Sequence, residues 1–146
     1  MANHVRLQIR DAVVTAVTGL ATTGANVFKS AVYDLERLTL PALVVRVGNE
    51  TSAPVTLGAP RRYERDCDID VEACAEDNAD CDATLIGIAQ QVEEALAMPL
   101  SGPWKVLTLV ASAPRLEGGA QKVRGRLVLR YRANYLVRED APDTAL

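Results

Sequence analysis

The sequence predicts an α+β protein, with a mostly antiparallel sheet of about four to five strands flanked by two main helices. Residues 61–73 and 122–135 alternate between polar and apolar side chains, which is typical of strands with one buried face. Residues 5–20 and 83–98 repeat apolar side chains three and four positions apart, as amphipathic helices do. With 146 residues, 49% of them hydrophobic, we expect a single domain over residues 1–146.

The N-terminal third predicts a helix followed by two strands. Asn3 is a candidate N-cap of the first helix and Gly24 a candidate stop. Strands are predicted over residues 26–33 and 40–47, and Pro41 must lie at a strand start or an exposed edge because proline donates no hydrogen bond. Glycine, proline, asparagine and serine in residues 48–60 predict a loop.

The rest of the chain predicts a strand, a helix and a hairpin. Residues 77–82 are a predicted turn, where Asp80 and Asp82 suit the positive end of the helix dipole, and Pro99 ends the helix. A short apolar strand over 104–111, a turn over 112–121 and the strand over 122–135 predict the closing hairpin. We expect a frayed, flexible tail from about residue 138.

The polar positions of the two alternating strands carry opposite charges. The acidic row comprises Glu64, Asp66, Asp68, Asp70 and Glu72. The basic row comprises Lys122, Arg124, Arg126, Arg130 and Arg132. Three interpretations stay open: solvated rows that pair across neighbouring strands, rows that pair between identical subunits of a ring, or a basic row that holds nucleic acid. The candidate subunit or partner interface consists of Glu64, Asp66, Asp68, Asp70, Arg124, Arg126, Arg130 and Arg132.

Reaction chemistry is not evident in the sequence. His4 is the one histidine, and we expect it on the surface at the start of a helix. The spacing of Asp66, Asp68 and Asp70 resembles the start of a calcium loop, but Val71 and Asp77 stand where glycine and a bidentate glutamate belong. We therefore expect no catalytic site, no bound metal and no cofactor.

Cysteine content and overall charge narrow the functional class further. Cys67, Cys74 and Cys81 are odd in number and match no zinc spacing, so free structural thiols are expected. The chain carries 16 basic and 19 acidic residues, a balance that gives no argument for a nucleic-acid-binding protein. Without an apolar segment long enough to span a bilayer, we expect a soluble protein made in the cytoplasm.

The order of elements resembles the tail terminator family of long-tailed bacteriophages, the lambda-type proteins that cap the tail tube. The resemblance runs from about residue 5 to 137. It depends on the Leu-Pro-Ala-Leu-Val-Val strand at 40–45, the long alternating strand, a helix ending Val-Glu-Glu-Ala-Leu at 92–96, and a hairpin closing on Tyr131 and Tyr135.

This resemblance implies a homohexameric ring that stops tail tube polymerisation and provides the head–tail joining surface. The implied partners are further copies of the chain, the tail tube protein and the head–tail connector protein, with DNA passing through the channel without specific binding and with no membrane. The implied location is the virion tail or neck, after assembly in the host cytoplasm. A head-side connector, neck or tail-completion protein remains an alternative, as does a monomeric small α/β binding domain.

Overall fold

The computed structural model describes residues 3–29, 40–77, 79–97, 102–118 and 123–146. Its elements are α1 (Val5–Val17), β1 (Val27–Lys29), β2 (Ala42–Pro54), β3 (Arg62–Glu76), α2 (Cys81–Ala97), β4 (Val106–Gly118), β5 (Val123–Arg138) and β6 (Ala141–Ala145). The described strands form one six-stranded sheet in the order β1-β2-β3-β5-β4, with β6 also paired to β5. The pairing of β1 with β2 is parallel and the other pairings are antiparallel. The α+β prediction is confirmed, with a slightly higher strand count.

Helices α1 and α2 pack on one face of the sheet and build the core with it. The buried side chains of the two helices recur at helical spacing: Val5, Ile9, Val13, Val17, Leu85, Ile88, Val92 and Leu96. Buried strand residues alternate with polar ones as predicted, and those facing the helices include Leu43, Val45, Cys67, Ile69, Val71, Leu127, Leu129, Tyr131, Ala133, Tyr135 and Val137. The predicted apolar faces are therefore correct, and the charged rows lie on the opposite face of the sheet.

The ends of α1 differ from the prediction. The N-cap is His4, not Asn3, because the imidazole Nδ1 accepts a hydrogen bond from the Arg6 backbone N–H at 3.1 Å. The helix ends at Val17, before the predicted stop at Gly24. Gly19 has a φ of +89°, a left-handed conformation that favours glycine and turns the chain away from the helix axis.

Strand β2 extends through most of the segment predicted as the loop 48–60. Pro41 immediately precedes β2, as expected, and the strand continues to Pro54. The pairing register with β3 shifts between Val47 and Glu50, which is a β-bulge. Gly48 suits this bulge, since a Cβ there would lie 3.1 Å from the Asp68 Cβ. The bulge accommodates turn-forming residues inside a strand, and for that reason the loop prediction was wrong over residues 48–54.

Helix α2 begins close to the predicted position, after two aspartates that serve as hydrogen-bond acceptors. The Asp80 carboxylate accepts from the Ala83 backbone N–H at 3.0 Å. Asp77 accepts from the Thr84 hydroxyl at 2.8 Å and from the Ala79 N–H at 2.9 Å, and these bonds lower the pKa of the Asp77 carboxyl. Met98 and Pro99, the predicted end of this helix, lie outside the described residues.

The hairpin of β4 and β5 is confirmed, although β4 is longer than predicted. A register shift between Leu109 and Ala111 marks a second bulge, after which the strand continues to Gly118. The turn predicted over 112–121 is therefore wrong for residues 112–118, and residues 119–122, with Lys122, lie outside the described part. The predicted frayed tail is also wrong over residues 141–145, because β6 pairs with β5. In the first predicted strand, only residues 27–29 are assigned to β1, and residues 30–33 are not described.

Candidate functional site

The outward face of β3 and β5, called the charged face below, brings the two predicted rows together within one chain. Asp68 lies opposite Arg132 and Asp70 opposite Arg130 in the antiparallel register. The Arg132 Nε donates to the Asp68 Oδ1 at 3.0 Å. Arg130 makes a two-pronged contact with Asp70, at 2.9 Å from Nε and 3.2 Å from Nη2. The structure therefore contains the cross-strand pairing that was the first of the three interpretations.

Toward one end of the charged face lies a buried carboxylate, Glu72, and one of its partners, Arg46, was not selected by sequence analysis. The Glu72 side chain is 5% exposed and forms ion pairs with both Arg46 of β2 and Arg126 of β5. The Arg126 contact measures 3.4 Å. Arg46 could have indicated this site, because it is the one charged residue in the otherwise apolar strand segment 40–47. Nearby, the Arg124 Nε donates to Glu76 at 3.1 Å, beyond the predicted end of the acidic row.

At the other end, two of the predicted acidic residues share a neutral partner. The Asn134 side-chain amide donates to the Glu64 carboxylate at 3.1 Å and to the Asp66 carboxylate at 2.9 Å. Thus each of the eight predicted interface residues lies on the charged face and has a polar contact within the chain. Their role in a subunit or partner interface stays a prediction.

The arginines form the outer layer of the charged face. The Arg130 and Arg132 side chains are 45% and 49% exposed, whereas Asp70 and Asp68 beneath them are 21% and 13% exposed. The hydrogen bond and charge of Asp70 raise the pKa of Arg130, which therefore stays protonated. A guanidinium has five N–H donors, so an arginine that holds one carboxylate still has donors for a second acceptor. The charged face can therefore bind further carboxylates while its internal pairs stay intact.

A second polar cluster lies on the helix-facing side of the sheet, near the start of α1. The Tyr135 hydroxyl donates to the Glu50 carboxylate, which also lies 3.7 Å from both Arg6 and Arg65. The Arg65 Nη1 lies 3.3 Å from the His4 Nε2. Burial and the charge of Arg6 lower the pKa of His4, so the imidazole is held neutral at the physiological pH range. Sequence analysis missed this cluster because Glu50 fell within the predicted loop.

An apolar groove, called the α2–β4 groove below, separates α2 from β4. Its volume is about 600 Å³. The lining residues are Asp82, Leu85, Ile86, Ala89, Gln90, Glu93, Ser112, Pro114, Leu127 and Leu129. Glu93 also lines a second depression, of about 310 Å³, that runs toward Leu107 and Tyr131. The outer edge of β4 beside this groove has no strand partner among the described residues.

The described residues offer little for catalysis or metal binding. No cluster of three or more histidine, cysteine, aspartate or glutamate side chains is placed to hold a metal ion in the described ranges. The three cysteines are free and buried, as predicted. Burial raises the pKa of both Cys67 and Cys74 to about 12, so these thiols stay protonated and are poor nucleophiles near neutral pH. Neither described helix has the length and apolar character needed to cross a bilayer.

Fold and surface together define an α+β protein with a charged sheet face and an apolar groove beside α2. No protein-family model matches the chain, and no curated protein matches it. Among solved structures, the chain is similar to a component described as "Virion of native gene transfer agent (GTA) particle". That similarity covers 90% of this chain and 95% of the other at 18% sequence identity, with a TM-score of 0.48. At this level it carries no argument about function.

Proposed function

We propose that this protein is a phage tail terminator, a structural subunit that forms a homohexameric ring on the tail tube. The ring would stop polymerisation of the tube and offer a surface to the head–tail connector. It would be assembled in the host cytoplasm and act in the virion tail or neck. The proposal begins from the order of elements that resembles the terminator family, and it needs no catalytic residue and no cofactor.

The observation that carries the proposal is the distribution of contact surfaces over the molecule. The charged face lies on one side of the sheet, the α2–β4 groove lies on the other side at the β4 edge, and Leu57 in the β2–β3 connection is fully exposed. A ring subunit must contact two neighbours through different patches and also bind the tube and the connector. Several separate contact surfaces are what such a subunit requires.

The charged face suits a polar docking role because its side chains are already held in place. The bidentate contact of Arg130 with Asp70 and the Arg132 contact with Asp68 reduce the side-chain freedom that binding would otherwise remove. The same pairing disfavours tight DNA binding, since arginines neutralised by carboxylates release few counterions from phosphates. We therefore propose that the predicted interface residues contact protein, and that DNA passes through the channel without specific binding.

A mass measurement combined with a tube-capping assay tests the function. Sedimentation velocity over a range of concentration and salt should show a hexamer, alone or on addition of the tail tube protein from the same genome. Added to polymerising tube protein, the chain should shorten the tubes and label their ends in electron micrographs. A monomer under every condition, together with tubes of unchanged length, would refute the proposal.

Two alternatives make different predictions in the same assays. A head-side connector, neck or tail-completion protein would form a ring but would bind the connector and leave tube length unchanged. A monomeric binding domain is favoured by one observation, the α2–β4 groove, whose volume of about 600 Å³ lies in the range of small-molecule sites. Such a domain would stay monomeric and would show saturable binding of a small ligand at Ile86 and Leu127.

A further inference from the structure

We propose that the β2–β3 hairpin of one copy inserts its tip into the α2–β4 groove of the next copy. The hairpin tip is defined here as residues 55–62. This inference rests on the proposed ring and deepens it by naming the two surfaces that meet between subunits. The occupant of the groove is therefore a second copy of this chain.

The hairpin tip has the composition of a docking segment. Every residue from 51 to 62 is exposed, and Leu57 is 100% exposed with Val55 at 50%. Burial of an exposed leucine side chain against a partner surface is favourable by about 1.5–3 kcal/mol. Residues 51–62 contain no acidic residue; Arg61 pairs with Glu139 at 3.8 Å, whereas Arg62 makes no salt bridge within the described ranges. The tip therefore combines an unburied apolar anchor with an available positive charge.

The α2–β4 groove has the complementary character. Its floor is formed by the apolar side chains of Leu85, Leu127 and Leu129, and Ile86 on its wall is 64% exposed. Asp82 and Glu93 of α2 also line it and supply negative charge. Its volume is large enough for Leu57 together with a neighbouring apolar side chain. The apolar side chain of Leu57 thus matches the apolar floor of the groove, and the positive charge of Arg62 matches the negative charge of its acidic residues.

Geometry prevents a chain from filling its own groove. Arg62, at the base of the tip, pairs with Arg138 at one end of β5, whereas the groove contacts β5 at Leu127 and Leu129. Arg138 is nine residues from Leu129, which is about 30 Å along an extended strand. A tip and a groove so far apart on one molecule form a heterologous contact between copies, and such contacts close into rings when the rotation permits.

Mixed single-cysteine variants test the contact directly. Leu57→Cys and Ile86→Cys chains are mixed and mildly oxidised, and the native thiols are buried and do not compete. The expected result is a disulfide-linked dimer that needs both variants. The matched control mixes Leu57→Cys with Leu7→Cys, which places a thiol at an exposed position of α1 away from the groove. Crosslinking no greater than in this control would overturn the inference.

An affinity measurement separates failure of this inference from failure of the proposed ring. Leu57→Gln should weaken self-association at least tenfold in sedimentation velocity, whereas Leu7→Gln should leave it unchanged. Arg62→Glu should also weaken it, and Glu93→Arg in the same chain should restore part of the loss. A hexamer that forms equally well with Leu57→Gln would overturn tip docking and leave the ring intact. A parent chain that stays monomeric even with the tail tube protein present, and that leaves tube length unchanged, would overturn both.

Discussion

Replacement of Glu72 by glutamine should destabilise the fold far more than the same change at Asp70. Glu72 is 5% exposed and is shared by Arg46 and Arg126, so Glu72→Gln removes the carboxylate from two ion pairs at once. Loss of one partner of a fully buried ion pair costs about 3–5 kcal/mol. Because each arginine side chain is 33% exposed and can be partly hydrated, we expect about 2–3 kcal/mol for Glu72→Gln. Asp70→Asn removes an exposed pair and should cost about 0.2–1 kcal/mol.

Urea unfolding followed by circular dichroism measures this difference. For a slope of about 1.5 kcal/mol per molar urea, Glu72→Gln should lower the midpoint by roughly 1.5 M, and Asp70→Asn by less than about 0.7 M. Asp70→Asn is the matched control, since it removes one carboxylate from the same strand face. Equal midpoints for the two variants would refute this reasoning, because they would show that burial does not determine how much each ion pair of the charged face contributes to stability.

Three further changes probe the core and its polar cluster. Gly125→Ala should cost about 1–3 kcal/mol in urea unfolding, because its Cβ would lie 2.6 Å from the Leu85 Cδ1; an unchanged midpoint would contradict this packing. Tyr135→Phe should cost about 1.5–3 kcal/mol by removing the hydrogen bond to the Glu50 carboxylate, and a neutral effect would indicate that Glu50 is satisfied without it. Burial raises the pKa of Cys67 to about 12, so the contribution of this protonated thiol to stability is present below pH 9 and declines as pH rises toward 12. Iodoacetamide at pH 8 should therefore label Cys67 only in urea, and labelling of the native protein would refute this expectation.

The sequence predicted best those features that depend on periodicity. Both helices and the buried faces of β3 and β5 follow from spacing alone, because side-chain direction repeats regularly in each element. The opposite charges of the two rows also anticipated the contacts of Asp68 with Arg132 and of Asp70 with Arg130. Which strands are neighbours is not encoded in the period, and for that reason pairing within one chain and pairing between copies both stayed open.

The failures concentrate where a bulge interrupts the alternation. Uninterrupted alternation along β2 would place Glu50 on the charged face of the sheet. Because of the bulge at Gly48, Glu50 instead lies on the helix-facing side, opposite Cys67. The polar cluster around Glu50 was therefore invisible in the sequence. The second bulge, at Val110, concealed the outer half of β4 in the same way, and with it Pro114 on the wall of the α2–β4 groove.

Internal pairing of the charged rows changes how strongly binding at the charged face should depend on salt concentration. An arginine that already holds a carboxylate within its own chain brings less uncompensated charge to a partner, so the docking energy should come mainly from additional hydrogen bonds and should fall only modestly with salt. The apolar contact of Leu57 should be still less sensitive to salt, because it depends on buried area rather than on charge. A ring whose assembly weakens modestly as salt is raised would therefore point to the charged face as its dominant contact, whereas a ring that is insensitive to salt would favour the hairpin tip and the α2–β4 groove.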